Sequence, residues 1–534
     1  MVLITPYDRA TSLLHNLREI PLVWFLIGCV LARIGLFPIS TKSPQDRYIL
    51  LRRIAFGAGL FVLCMYVLLT ISSLHSFVMW EDEANILSIS AAGIHGLSMY
   101  NPPHSPDSTY SLMYGPFTFL VYRLALIAGG VRHFWIIRFF VVTANLSLCA
   151  ALYGLVRKFV STSTAIALLT LPLSVLLQHT EISLGLRSDI WIFLAATLAI
   201  ICSLLETELA AVILVGLMGG LLVGFKITAG PAILFPLLLL YRRFGLRAIV
   251  TSSLIATAVT LLPFALPDIS LRNYISWLLF TRSEIISPFS VMENVAFALF
   301  LISPCVLMEV SLNRFGVRFR KRLPELIVIF VCMILALLTS KSGSGLHYLW
   351  HIVPSITAYL ALVSRDMENA PIGEQIIPLY YIAVACTLFA CMNLPRAWQN
   401  IRASLMPAGV RVAQQSIDQY LDFYRHRSSL QIGSGSIPGD YRADLRYIPI
   451  YRGQPYTIEG NTGRFETGLL PFPGNVLERM KSCKDDVWLI PHSQKPFYVW
   501  VLPDSLRTTF LQNYSIDGSD GVYDAWVCNH ARSD

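Results

Sequence analysis

Between residues 54 and 393 the chain is one apolar run after another, each about 15 to 22 residues long and separated by short loops. No other feature constrains the fold so tightly. Runs of this length read as transmembrane helices, which satisfy their own backbone polar groups inside lipid. Composition agrees. A hydrophobic fraction of 55%, only 14% charged residues and a mean hydropathy of +0.59 exclude an ordinary soluble globular protein. The net charge of +8 is not a signal for nucleic acid, and no nucleic-acid partner is expected. The basic residues cluster in short loops between apolar runs, where they report topology. The first run, Pro21 to Leu36, follows acidic as well as basic residues and lacks a small-residue cleavage site, so it is not read as a cleaved signal peptide.

The loops orient the spans. Lys42, Arg47, Arg52 and Arg53 precede the run Ile54–Leu74, which makes that end cytoplasmic. Further helices are expected near 133–155, 162–178, 189–205, 209–224, 227–241, 248–265, 289–310, 325–339, 349–363 and 375–393. Arg157-Lys158, Arg242-Arg243-Arg247 and the Arg314–Arg322 loop then share the cytoplasmic side, provided that Gly115–Gly130 does not cross. That stretch is read as a helix along the outer interface, with Tyr114, Phe117, Phe119, Tyr122 and Arg123 at headgroup level. About eleven spans result. The run 21–37 is either a twelfth span or a surface helix.

On the outer side the first span leads to an acidic triplet, Glu81-Asp82-Glu83, at the head of a long aromatic loop. Carboxylates at a membrane boundary are costly and are candidates for function; the bland alternative is a solvated helix N-terminus, where acids favour the dipole. Further polar groups fall on the same face: His179–Asp189 (HTEISLGLRSD), Lys226, the Leu266–Pro288 loop with Arg272 and Arg282, and Thr339–His351 (TSKSGSGLHYLWH). Arg187 or Lys226 alone could snorkel from a helix end, but all of these groups pointing to one side is harder to explain that way.

From about Leu394 the character changes to mixed charge with Gly and Pro punctuation. Strands are expected at Tyr447–Tyr451, Val487–Pro491, Phe497–Leu502 and Tyr523–Cys528, and a helix over Val410–His426. This is a separate α/β domain, residues 394–534, placed outside by eleven spans from a cytoplasmic start. None of the ten cysteines shows metal-like spacing. Eight lie in apolar runs; only Cys483 and Cys528 lie in the tail. An oxidising compartment lets these two form a disulfide, and two unpaired thiols are the alternative.

These residues resemble a known family. Asp82-Glu83-Ala84 after the first well-defined span resembles the Asp-Glu motif in the first outer loop of GT-C glycosyltransferases. Tyr114-Gly115-Pro116 and Arg138 are similar to their Tyr-Pro-Pro and Arg positions. Leu222–Pro231 (LVGFKITAGP) resembles the lysine region of the aminoarabinose transferase and protein O-mannosyltransferase group. Arg187-Ser188-Asp189 is similar to an Arg-Pro-Asp of bacterial members, and Lys341-Ser342-Gly343 with His347 and Pro354 to a Lys-x-Gly…His…Pro pattern. Gly115 and Ala229 depart from the usual Pro and Gly.

The resemblance implies an α-helical polytopic membrane protein of about 11–12 transmembrane helices, GT-C-like over residues 54–393, with its catalytic first outer loop at 75–132 and a C-terminal extracytoplasmic α/β domain. Residues 1–53 form an N-terminal segment. The implied activity is transfer of a hexosyl or pentosyl group from a polyprenyl-phosphate sugar donor to a glycan, lipid or protein acceptor, in a bacterial inner membrane with the site facing the periplasm. Such chemistry needs a base for the acceptor hydroxyl. Asp82 is assigned to it, with Glu83 to orient the acceptor or help hold a divalent cation (Mg or Mn), the one optional cofactor. The departing phosphate needs fixed cations in a partly dry site, and Lys226, Arg187, Lys341, His347 and Arg282 are the candidates, in that order. A metal shared by His347 and His351 is the weaker reading of that pair, because no third ligand stands nearby in sequence. Two other classes stay open: a transporter or flippase for a lipid-linked glycan, and a polysaccharide polymerase or ligase. Internal repeats and midplane charges, which a transporter would show, are not evident.

Overall fold

The computed structural model describes residues 20–39, 42–78, 81–102, 114–280, 288–314, 322–338, 346–368, 376–437, 440–456, 474–498 and 504–529. Helix α1 (Pro21–Leu36) precedes α2 (Pro44–Ser72), which Ser43 caps by accepting the Asp46 N–H at 3.2 Å, with Pro44 at the first helical position. Then come α3 (Glu81–Ile94), α4 (Pro116–Gly129), α5 (Phe134–Arg157), α6 (Thr162–Leu168), α7 (Thr170–Gln178), α8 (Thr180–Ser183), α9 (Asp189–Ser203) and α10 (Glu208–Phe225). The apolar part closes with α11 (Leu234–Phe244), α12 (Leu246–Leu261), α13 (Leu271–Phe280), α14 (Pro288–Arg314), α15 (Leu323–Leu337), α16 (Val353–Glu368) and α17 (Ile376–Ser404).

Each of the eleven runs expected to span is helical. Among the described residues, 8 helices are long and apolar enough to cross a membrane, and Thr162–Gln178, Asp189–Ser203 and Leu323–Leu337 are shorter apolar helices. The protein is an integral membrane protein. Helix α1, 16 residues long, packs on α17 so closely that a Cβ on Gly28 would lie 2.5 Å from the Ala385 Cα.

One end of the bundle gathers the basic loops. Arg52 donates to Ser163 (2.6 Å) and Ser161 (3.1 Å), Glu368 accepts from the Ser161 N–H at 3.1 Å, and ion pairs join Arg242 to Glu325 and Arg322 to Asp366. These contacts put the starts of α2 and α15 and the ends of α5, α11 and α16 at one end, as the charge pattern requires. The acidic helix α3 lies at the other.

Helix α4 has 14 residues, about 21 Å at 1.5 Å per residue, too short for a core of about 30 Å. Its aromatic residues do not form an interfacial belt, however. Phe119 and Tyr122 are fully buried, because α3 and α5 pack over α4, and Arg123 pairs with Asp268 at 2.8 Å.

Beyond residue 393 the last apolar helix continues unbroken to Ser404, past Pro395. There follow α18 (Val410–Phe423), β1 (Leu430–Ile432), α19 (Tyr441–Asp444), α20 (Tyr447–Tyr451), α21 (Gly474–Lys481), β2 (Val487–Pro491), α22 (Asp504–Asn513), β3 (Tyr514–Ser519) and β4 (Tyr523–Cys528). The strands order β1-β2-β4-β3, parallel between β1 and β2 and otherwise antiparallel, with Leu430 opposite Val487 and Trp488 opposite Trp526. Trp488, Phe497, Phe510 and Tyr514 form a small aromatic core beneath the sheet, and Cys483 and Cys528 are joined by a disulfide.

One expected strand fails. Tyr447–Tyr451 is a helical turn: Pro449 at its centre has no N–H for a ladder, and Tyr447, Ile448 and Ile450 are all buried rather than alternating. Within Phe497–Leu502, Phe497 and Tyr498 are not in a strand, since Phe497 turns at φ 52° and donates its N–H to the Ser434 carbonyl at 2.8 Å; the rest lies outside the described residues. Strands β1 and β3 were not anticipated.

The C-terminal unit seats on the acidic loop. The Phe77 N–H donates to the Ser404 carbonyl at 2.6 Å and the Met406 N–H to the His75 carbonyl at 3.1 Å. The His95 ring meets the Tyr451 carbonyl at 2.7 Å, and Tyr447 packs against Phe134 with ring centroids 6.4 Å apart. Helix α3 is thereby covered: Asp82 through Ala92 are all buried, although Asn85, Ser88 and Ser90 are polar.

Candidate functional site

Two adjacent carboxylates at the head of α3 turn to different partners. Successive helical side chains diverge by about 100°. Glu83 faces Arg138 of α5, with Oε2 accepting from Nη2 at 2.6 Å, and both side chains are fully buried. Arg138 also donates to the carbonyls of Ser76 (3.2 Å), Leu184 (3.0 Å) and Phe77. It ties together the exit of α2, the head of α3 and the bend before α9. That bend needs a glycine: a Cβ on Gly185 would sit 2.2 Å from the Glu181 carbonyl oxygen and 2.8 Å from Glu83 Oε1.

Asp82 faces the cations. Its Oδ2 lies 3.3 Å from Arg187 Nη1, whose Nε donates to Asp189 Oδ2 at 3.2 Å and whose Nη2 lies 3.5 Å from His347 Nε2. Lys226 Nζ is 3.7 Å from Asp189 Oδ1 and 3.9 Å from the centre of the Tyr348 ring. Tyr114 covers both cations, its ring centre 5.5 Å from Lys226 Nζ and 5.8 Å from Arg187 Cζ. None of these four charged side chains is more than 10% exposed. Two carboxylates, a guanidinium and an ammonium thus balance in a nearly dry pocket, where each fixed charge acts more strongly than in water.

The position of Lys226 comes from a broken helix. Helix α10 ends at Phe225, Lys226 is extended (φ −162°, ψ 119°), and the chain resumes as a 3-10 turn over Ile227–Ile233. The Phe225 carbonyl freed by the break accepts the Gly115 N–H at 2.8 Å and the Thr118 hydroxyl at 3.1 Å. Contact is possible only between glycines: a Cβ on Gly115 would lie 2.1 Å from the Gly224 oxygen, and one on Gly224 would lie 2.2 Å from Phe117 Cδ2. Tyr114-Gly115-Pro116 therefore docks on the lysine motif and carries the Tyr114 ring over it.

His347 and His351 lie on a buried 3-10 turn, Leu346–Ile352. His347 Nδ1 and His351 Nε2 have no hydrogen-bond partner among the described residues. Asp82 and Asp189 face Arg187 and Lys226, Glu83 faces Arg138, and among the described residues no three His, Cys, Asp or Glu side chains converge.

Of the residues singled out in sequence, Asp82, Arg187, Lys226 and His347 come together, with Glu83 just behind them on Arg138. Lys341 and Arg282, and the side chain of Glu81, lie outside the described residues. Asp189, Tyr114 and Arg138 belong to motifs visible in the sequence but not assigned to the site there. Tyr348 carried no sequence signal.

No protein-family model matches this chain, and no curated protein sequence matches it. Solved structures do. ArnT from Cupriavidus metallidurans bound to undecaprenyl phosphate aligns with a TM-score of 0.53 at 12% identity, over 88% of this chain and 97% of that one. In the apo state the same protein aligns with a TM-score of 0.50 at 11% identity and the same coverage. At such identity the likeness is one of fold. This polytopic chain, with an acidic helix at the head of its first loop and a small terminal sheet, shares its fold with ArnT from Cupriavidus metallidurans.

Proposed function

We propose that the protein transfers a sugar from a polyprenyl-phosphate-linked donor to a hydroxyl of a glycan, lipid or protein acceptor, with Asp82 as general base, at the periplasmic face of a bacterial inner membrane. The observation that carries this reading is the buried cluster in which Asp82, Arg187, Asp189, Lys226 and His347 meet. The undecaprenyl phosphate held by the similar structure supports a donor of that class.

In this reading the donor phosphate sits among Lys226, Arg187 and His347. A phosphate arriving there competes with Asp82 for the Arg187 guanidinium and leaves the carboxylate available to the acceptor. Asp82 takes the hydroxyl proton as the acceptor oxygen bonds to the anomeric carbon. The bond from that carbon to the phosphate oxygen breaks, and the electron pair leaves with the polyprenyl phosphate. Lys226 and Arg187 hold the charge that develops, and they need no reorganisation to do so.

The test is turnover of a panel of polyprenyl-phosphate sugars by the purified protein beside an equally folded Asp82→Asn variant. One donor is expected to yield a new glycosidic bond, with the variant slower by roughly 10² to 10⁴ while still binding undecaprenyl phosphate. Movement of intact lipid-linked sugar across vesicles with no bond formed would overturn the reading, and equal turnover by Asp82→Asn would remove Asp82 from its role.

A further inference from the structure

One turn along α3 from Asp82, on the same face, stands Asn85. It is fully buried. Two donors from the C-terminal unit converge on its side-chain oxygen: Arg446 Nη1 at 3.1 Å and the Tyr456 hydroxyl at 3.3 Å. Arg446 is itself held in place, donating from Nε to the Ala443 carbonyl at 3.1 Å and lying 3.4 Å from Asp444 Oδ1 through Nη2. Since both partners are donors, the amide is oriented with Oδ1 toward them and its NH₂ away. That NH₂ group meets no acceptor among the described residues.

A buried amide with an unmatched donor is costly, and a ligand that brings an acceptor removes that cost. The cations that suit a phosphate all come from the apolar bundle and meet Asp82 from the Arg187 side. Asn85 is held instead by the C-terminal unit. We infer that Asn85 is a substrate-positioning residue whose NH₂ donates to an oxygen of the hydroxylated acceptor, and that Arg446 and Tyr456 aim it. The inference rests on the transferase reading above and gives the C-terminal unit a part in acceptor binding.

Asn85→Asp tests it, because the change is isosteric, keeps an oxygen for Arg446 and Tyr456, and replaces the donor with an acceptor oxygen, the added carboxylate charge facing the Arg446 guanidinium. Three readouts are taken on the whole protein: transfer to acceptor, hydrolysis of the same donor by water, and binding of undecaprenyl phosphate. The expected result is about a tenfold fall in kcat/KM for the acceptor, expressed mainly in KM, with hydrolysis and lipid-phosphate binding within twofold of wild type. Asn85→Leu, which loses both roles, should be at least as impaired toward the acceptor. Arg446→Met should raise the acceptor KM, and Arg446→Lys should restore part of it. Transfer by Asn85→Asp equal to wild type would overturn the inference alone. An equal loss of hydrolysis and transfer would show that the residue supports α3 rather than the acceptor, and would overturn it too. A wild-type protein that turns over no donor would refute the transferase reading and this inference with it.

Discussion

Replacing Arg138 with Met should destabilise the protein by about 3–5 kcal/mol, the cost of leaving one member of a buried ion pair without the other. The setting is severe. Arg138 and Glu83 are both fully buried, and the guanidinium also serves three backbone carbonyls, those of Ser76, Phe77 and Leu184. Methionine fills much of the volume and supplies none of the donors. Glu83→Gln keeps an acceptor oxygen but leaves the guanidinium uncompensated, so a loss of similar origin, about 3 kcal/mol, is expected. The double variant Glu83→Gln/Arg138→Met buries no charge, and its loss should fall short of the sum of the single losses by about 2–3 kcal/mol. Unfolding by titration with SDS in mixed micelles, followed by tryptophan fluorescence in one detergent at one pH, measures all four proteins. A single Arg138→Met variant within about 1 kcal/mol of wild type would refute the reasoning. So would strict additivity, because it would mean that the two charges do not depend on each other.

The other expectations concern the site and the C-terminal unit. Lys226→Gln should weaken undecaprenyl phosphate binding roughly ten- to hundredfold, the value of a charge-assisted contact, as read by a binding titration with the lipid phosphate. Gly115→Ala should be destabilising by about 1–3 kcal/mol and should reduce transfer, because the added methyl would meet the Gly224 carbonyl oxygen at 2.1 Å. Gly57→Ala in α2, with nothing within 4 Å of the new Cβ, is the matched control and should be neutral or stabilising. Burial pushes the Asp440 carboxyl up, but hydrogen bonds from the Arg442 side chain and N–H and from Gln494, together with the Arg442 charge, outweigh it and hold the carboxyl below its usual range. A folded-state value lower than the unfolded one gives stability that is present above about pH 4 and is lost as the pH falls through the folded value. Thermal unfolding across pH 5 to pH 2 should therefore show a smaller acid loss for Asp440→Asn than for wild type.

Much of the architecture was legible because lipid leaves few choices. Apolar runs of spanning length had to become helices, and charges that cannot face acyl chains had to collect somewhere. Placing Asp82, Arg187, Lys226 and His347 on one side of the membrane was enough to bring them toward one another. Division of labour between neighbours was not legible. Asp82 and Glu83 are adjacent and chemically alike, and only the rotation of α3 sends one to Arg187 and the other to Arg138. Nor could periodicity show that Phe119 and Tyr122 face protein, since an aromatic stripe reads alike at a lipid interface and in a core. Pro449 within Tyr447–Tyr451 was a readable warning against a strand. Tyr348 gave none: its place over Lys226 depends on where a 3-10 turn happens to end a loop.

The contact between Arg446 and Asn85 joins residues 361 positions apart in the chain. At a synthesis rate of about 5–20 residues per second, roughly 20–70 s pass between the two. Throughout that interval α3 already carries Asp82 and its neighbours but lacks the C-terminal unit that aims Asn85. Arg187 and Lys226 are made much earlier, so the face that meets Arg187 has its partners long before the face that meets the C-terminal unit. The nascent protein is thus completed in a fixed temporal order, cations first and C-terminal unit last, and a chain stalled before residue 446 has one half of its polar cluster uncovered.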